Sequence, residues 1–227
     1  MIRSSRSDPL ATIQACRVLP VVSIASERHA EGLGRALHAG GLPIAEIVLR
    51  TDSAISAITM LSGIGGLCVG AGTVINAQQV DQAVDAGAQF IVSPGLSPTV
   101  IARCQHRGIP VIPGVATSTD VITALDAGVS LVKFFPASAL GGVAALTALA
   151  APFGGVRFIP TGGITAATAA EYLRHPAVLA VGGTWIAPEA SITQQRWEAI
   201  TARAADAVSL ARLGVAASAG PLRGNLS

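Results

Sequence analysis

The chain has 227 residues, 51% of them hydrophobic and 12% charged, with 25 glycines, which suits one domain with a large buried core and many turns. A formal charge of +2 without a Lys/Arg cluster or an aromatic ladder excludes a nucleic-acid footprint and favours small-molecule chemistry. Cys16, Cys68 and Cys104 are odd in number and widely spaced, which argues against a disulfide framework or zinc site and fits the cytoplasm.

The opening residues carry charge but no apolar run behind it, so no secretory signal is expected. Residues 1–7 read as a tail, and Asp8-Pro9 opens an extra helix to Cys16. Short β-rich runs then alternate with helical segments. The expected strands are Val18 to Ile24, Ile44 to Leu49, Leu67 to Ala71, Phe90 to Ser93, Pro110 to Pro113, Leu131 to Phe135, Arg157 to Pro160 and Val178 to Val181. Between them, "LHAGG", "VDAGA", "QHRGI" and "LDAGV" each offer a glycine for a left-handed helix end. Ser26, Asn76, Ser97 before Pro98, and Ser118 are the expected N-caps.

Successive βα units of this number predict a single-domain α/β protein, a (β/α)8 barrel over 8–213, with an open doubly wound sheet as the alternative. The last helix is expected from Ile192 to Leu213, with 214–227 a loosely held tail. The uncharged stretch Phe134 to Val156 is broken by Pro136, Pro152 and glycines, so it reads as turn plus helix and no membrane partner is expected.

Lys133 is the one lysine in a chain whose other basic residues, histidine aside, are all arginine, and it stands in the apolar strand "LVKFF". Strand alternation puts Lys133 on one face with Leu131 and Phe135, and on the second strand groups Glu46, Val48 and Arg50. Glu46 is the one glutamate within an expected strand. In a closed barrel a lone lysine and a lone glutamate on inward faces meet inside. A structural ion pair is one reading. Buried pairs are costly, however, and arginine's fork serves that role at least as well, whereas an amine can lose its proton and attack a carbonyl carbon.

Thr73, read as inward in phase with Leu67, Val69 and Ala71, joins Arg50 as a carboxylate receptor. "PTGGI" and "VGGTW" follow the seventh and eighth strands, where barrels commonly hold phosphate on backbone N–H groups, with Thr161 and Thr184 as hydroxyl donors. His29, His38, His106 and His175 fall on or at the ends of helices without a cluster, so no metal and no cofactor is expected.

"GLPIAEIVLRT", "GAGT", "SPG", "GVSLVKFFPASALG", "PTGGI" and "GGTW" resemble, in order and spacing over about residues 10 to 210, the bacterial 2-keto-3-deoxy-6-phosphogluconate (KDPG) and 4-hydroxy-2-oxoglutarate (KHG) aldolase family. The resemblance implies a class I, metal-independent aldolase on a trimeric barrel, working in the Entner–Doudoroff pathway on a phosphorylated 2-keto acid. It makes Lys133 the Schiff-base lysine and Glu46 the general acid/base. Arg50 and Thr73 become carboxylate binders, Pro94 and Phe135 further substrate contacts, and Thr161, Gly162, Gly163, Gly182, Gly183 and Thr184 the phosphate region. Val48 stands where the family usually has threonine, removing an inward hydroxyl, and Thr184 stands where serine is common. A sister branch acting on the galactonate epimer tends to have asparagine near position 50, so Arg50 favours the gluconate substrate. A phosphate-binding barrel isomerase or epimerase, a non-catalytic sugar-phosphate sensor and the galactonate-epimer aldolase are the alternatives.

Overall fold

The computed structural model describes residues 8–218; the expected tail at 1–7 and the end of the other, 219–227, lie outside them. The strands are β1 (Val18–Val22), β2 (Ile44–Val48), β3 (Cys68–Gly72), β4 (Phe90–Val92), β5 (Val111–Ile112), β6 (Gly114–Val115), β7 (Leu131–Phe134), β8 (Arg157–Phe158) and β9 (Val181–Gly183). They form a six-stranded sheet, β5-β4-β3-β2-β1-β9, and a three-stranded sheet, β6-β7-β8. All recorded pairings are parallel.

Two junctions close these sheets into a barrel. β5 and β6 flank Pro113, which lacks the N–H a continuous ladder needs, so they are two halves of one barrel strand. β8 meets β9 through parallel bridges Phe158↔Val178 and Thr161↔Gly182. The result is the expected (β/α)8 arrangement of one domain.

The helices are α1 (Pro9–Cys16), α2 (Ala30–Ala39), α3 (Ala54–Ser62), α4 (Ala77–Asp85), α5 (Pro98–Arg107), α6 (Ser118–Asp126), α7 (Gly142–Ala150), α8 (Ala166–Leu173), α9 (Glu189–Thr193) and α10 (Trp197–Ser218). Asp8 caps α1 by accepting from the Leu10 N–H, and Asn76 and Ser97 cap α4 and α5 in the same manner. The four glycine motifs each deliver a left-handed residue, at Gly41, Gly87, Gly108 and Gly128, as backbone reversal after a helix requires.

Three local expectations are corrected. Thr117, not Ser118, caps α6, because its hydroxyl accepts from the Asp120 N–H while the Asp120 carboxylate accepts from the Thr117 N–H. This reciprocal box leaves Ser118 as the first helical residue. Ser26 precedes a 3-10 turn, Glu27–His29, and makes no side-chain capping bond. The segment expected as one helix from Ile192 to Leu213 is split between α9 and α10 at Gln195, whose φ is 52°, and α10 continues past residue 213 to Ser218.

The core is continuous from the barrel interior into the layer between sheet and helices. Val22, Ile47, Val69, Ile91, Val132 and Phe134 are buried at the strands, and Leu33, Ile58, Val80, Val100 and Leu146 bury the helices against them. No helix among the described residues is long and apolar enough to cross a membrane.

Candidate active site

The barrel brings Lys133 and Glu46 together. β2 neighbours β1 and β3, and β7 neighbours β6 and β8, so side chains of β2 and β7 meet only across the interior. Lys133 Nζ donates to Glu46 Oε1 at 3.1 Å, with the two side chains only 7% and 1% exposed. The Lys133 ammonium lies 5.3 Å from the centroid of the Phe135 ring, within cation–π range. Lys133 is half of a buried ion pair, and Phe135 covers one side of it.

Glycines make the room. In register, Glu46 faces Gly70, Val48 faces Gly72 and Lys133 faces Gly114. Gly72 admits the Glu46 side chain: a Cβ there would lie 2.7 Å from Glu46 Cγ, well inside van der Waals contact. A Cβ at Gly114 would crowd the Pro94 carbonyl and lie 2.6 Å from the Gly95 nitrogen. Pro94, half-buried in the loop after β4, is therefore held beside the residue that pairs with Lys133.

Strand alternation does not carry Thr73 inward. Gly70 and Gly72 share the inward face with Glu46 and Val48, so Val69 and Ala71 point outward, and Thr73 cannot be inward by being in phase with them. β3 ends at Gly72, and Thr73 takes φ 60°, an uncommon conformation for a β-branched residue. That reversal, rather than strand alternation, sets its direction. Arg50 lies in the turn beyond the end of β2, exposed, with no side-chain hydrogen bond or ion pair among the described residues. Val48 is buried at 1% exposure and offers the site only an apolar wall.

The two glycine pairs differ more than their sequences suggest. Gly162 and Gly163 form a true loop with φ of 98° and 74°, and neither N–H finds an acceptor among the described residues. Gly182 and Gly183 belong to β9 instead, and the Gly182 N–H donates to the Pro160 carbonyl at 2.9 Å. Both are glycine because of close neighbours. A Cβ at 182 would lie 3.1 Å from Thr161 Cγ2, and one at 183 would lie 2.8 Å from an atom of the Trp185 ring. Thr161 is buried, and its hydroxyl donates to the Ile159 carbonyl at 3.3 Å, so it is not the free donor expected. Thr184 is exposed and its N–H is unengaged among the described residues.

One neighbour escapes sequence reasoning. A Cβ at Gly163 would lie 2.7 Å from Ser138 Oγ, and the Ser138 N–H donates to the Gly162 carbonyl at 3.0 Å. The exposed Ser138 hydroxyl thus borders the Gly162–Gly163 loop. "PASALG" carries no local sign of this, because the contact depends on where β8 ends. Among the described residues no three His, Cys, Asp or Glu side chains converge as metal ligands.

The chain as a whole is similar to known proteins. A sequence model for the KDPG and KHG aldolases matches residues 10–203. The 2-dehydro-3-deoxy-phosphogluconate aldolase of Treponema pallidum is 46% identical over 191 residues, covering 84% of this chain and 91% of that protein. The crystal structure of the Zymomonas mobilis ZM4 KDPG aldolase with 3-phosphoglycerate superposes with a TM-score of 0.84 at 40% identity, covering 89% of this chain and 96% of that one. The Legionella pneumophila KDPG aldolase, with pyruvate captured at low pH as a covalent carbinolamine intermediate, also gives a TM-score of 0.84 at 40% identity, covering 88% of this chain and 97% of that one.

Proposed function

The chain belongs to the KDPG and KHG aldolase family, and from that premise we propose how its own residues carry out the reaction. The activity is that of an aldehyde-lyase, cleaving 2-keto-3-deoxy-6-phosphogluconate to pyruvate and glyceraldehyde 3-phosphate. The observation that carries the residue assignment is the buried contact of Lys133 Nζ with Glu46 Oε1 at 3.1 Å.

Lys133 is the nucleophile. In the ion pair its nitrogen holds a proton that must leave before it can attack, and Glu46 is within reach to accept it. The free amine adds to C2 of the keto acid, and Glu46 returns the proton to the carbinolamine hydroxyl, which leaves as water to give an iminium ion and restore the carboxylate. That cation accepts the electron pair of the C3–C4 bond as it breaks. Glu46, directly or through one water, takes the C4 hydroxyl proton, and the aldehyde departs. Protonation of the enamine at C3 and hydrolysis release pyruvate and restore the amine. The carbinolamine seen in the Legionella relative is an intermediate of this type and supports the reading.

Arg50 and Thr73 take the substrate carboxylate. Arg50 has all of its side-chain donors uncommitted among the described residues, and a guanidinium matches a carboxylate in bidentate fashion. The phosphate rests on the N–H groups of Gly162, Gly163 and Thr184 with the Ser138 and Thr184 hydroxyls beside it. Gly182, Gly183 and Thr161 shape the floor rather than donate to it. Pro94 and Phe135 wall the reacting carbons. The protein works in the cytoplasm as a homotrimer in the Entner–Doudoroff pathway and also accepts 4-hydroxy-2-oxoglutarate. Pyruvate release in a lactate dehydrogenase-coupled assay, with the gluconate-derived, galactonate-derived and 4-hydroxy-2-oxoglutarate substrates compared, tests this. The highest kcat/KM belongs to the gluconate-derived compound; no pyruvate from any of the three would refute the assignment.

A further inference from the structure

Arginines converge at the end of the barrel opposite the strand ends that carry the active site. Arg17 closes α1 just before β1, Arg157 opens β8, and Arg174 and His175 follow α8. They line a cavity of about 530 Å3 whose lining includes no carboxylate. Burial, reinforced by the nearby Arg157 charge, holds the Arg17 guanidinium below its ordinary pKa. By contrast Arg35, Arg103 and Arg107 each have a carboxylate partner.

Part of this arrangement is structural. Arg17 Nη2 donates to the Leu173 carbonyl at 2.7 Å, and Arg157 Nη1 donates to the Pro176 carbonyl, which completes the C-terminal end of α8 and the turn after it. Each bond uses one of five guanidinium N–H groups, however, and a neutral carbonyl leaves the charge unbalanced. Arg17 Nε is buried without any acceptor among the described residues. The Arg174 side chain makes no hydrogen bond or ion pair among the described residues. His175 Nδ1 accepts from the Ala177 N–H at 3.2 Å, so the neutral ring carries its proton on Nε2 and adds a further donor. Burial keeps that ring below its ordinary pKa, which favours this neutral form.

We propose that this cavity is a second anion site, in which Arg17, Arg157 and Arg174 hold the phosphoryl group of a small organic phosphate. Guanidinium forks match phosphate oxygens in geometry as well as charge. The organic part is placed by an adjoining cavity of about 320 Å3, which shares Arg157 and His175 and is bordered by Phe153 and Val156. A phosphoryl group beside Arg157 thus has an apolar compartment next to it. The site uses none of the residues assigned to the aldol reaction.

Titration calorimetry of the full chain with phenyl phosphate, at fixed ionic strength, tests the proposal on wild type, Arg17→Gln and Arg174→Gln. The expected result is a binding event weakened at least about tenfold in both variants, the loss of a charge-assisted contact, with pyruvate release unchanged. Arg17→Gln also removes a bond to α8. If that variant does not fold, Arg174→Gln, whose side chain bonds to nothing among the described residues, decides the matter. Phenyl phosphate binding as tight in Arg174→Gln as in wild type, or no binding by wild type, overturns the proposal.

Discussion

The Glu46 side chain fills the space that a Cβ on Gly72 would need. The missing methyl on β3 sets where the carboxylate on β2 can lie, and so fixes its approach to Lys133. A Cβ at 72 would stand 2.7 Å from Glu46 Cγ, and overpacking of this type costs about 1–3 kcal/mol when neighbours must shift. Gly72→Ala should fold but lose at least about tenfold in kcat, since misplacement of a reacting group by about 1 Å has effects of that size or more. Adding Glu46→Asp, one methylene shorter, should recover part of the loss. Wild-type turnover in Gly72→Ala would show that this packing does not position Glu46.

Replacing the carboxylate separates bond formation from proton transfer. Glu46→Gln keeps the side-chain shape and an acceptor for Lys133 but removes the base, so turnover should fall by about 10²–10⁴, the range for one general acid/base. Covalent capture of pyruvate at Lys133 should still reach completion on long incubation, though more slowly, because it reads whether the imine forms rather than its rate. Unchanged turnover would remove Glu46 from the proton-transfer role.

How much of this was legible in the sequence depended on strand length and on what lay beyond the strand ends. Lys133 and Glu46 sit inside regular strands, where alternation fixes the face, so their convergence could be read. Thr73 and Arg50 lie just past β3 and β2, and alternation says nothing about a residue at φ 60° or in a turn. Gly182 and Gly183 look like a loop, yet they are strand residues whose small size makes room for Thr161 and Trp185, partners distant in sequence or folded back. Ser118 reads as the cap of α6 until Asp120 is seen to bond back to the Thr117 N–H. Packing around the barrel decides the glycine positions, whereas the α6 cap is decided by a bond only three residues away.

The buried thiols make a prediction about labelling and alkaline stability. Burial pushes Cys68 up to about 12, with smaller contributions from Cys16 and Asp8, and burial alone pushes Cys104 to about 12. Iodoacetamide at pH 8 should leave both unmodified in the native protein and modify both after denaturation, as read by mass spectrometry. In the unfolded chain thiols ionise near 8.5. The folded state then holds the extra protons, and stability falls as pH rises from about 8.5 toward 12. Rapid native labelling of either thiol would contradict the assigned burial.

Asp81 joins α4 to α5 by accepting from Arg103 at 2.8 Å and Arg107 at 2.6 Å. Hydrogen bonds from Arg103 and then Arg107 hold its carboxyl below its ordinary pKa. A depressed folded-state value stabilises the fold above the unfolded pKa of about 3.9, and that contribution disappears as pH falls below it. Asp81→Asn should lower Tm modestly at pH 7 and low salt, with the difference from wild type shrinking at high salt and on acidification below about pH 4. A Tm difference unaffected by salt and pH would assign the effect to packing instead.

Lys133 acting as a covalent nucleophile is the central claim, and borohydride trapping tests it most directly. Protein incubated with pyruvate, reduced, digested and sequenced by tandem mass spectrometry should carry a single three-carbon unit on Lys133, formed without added metal and missing in Lys133→Met. A folded protein that gains no adduct, or gains it on another residue, would contradict the mechanism.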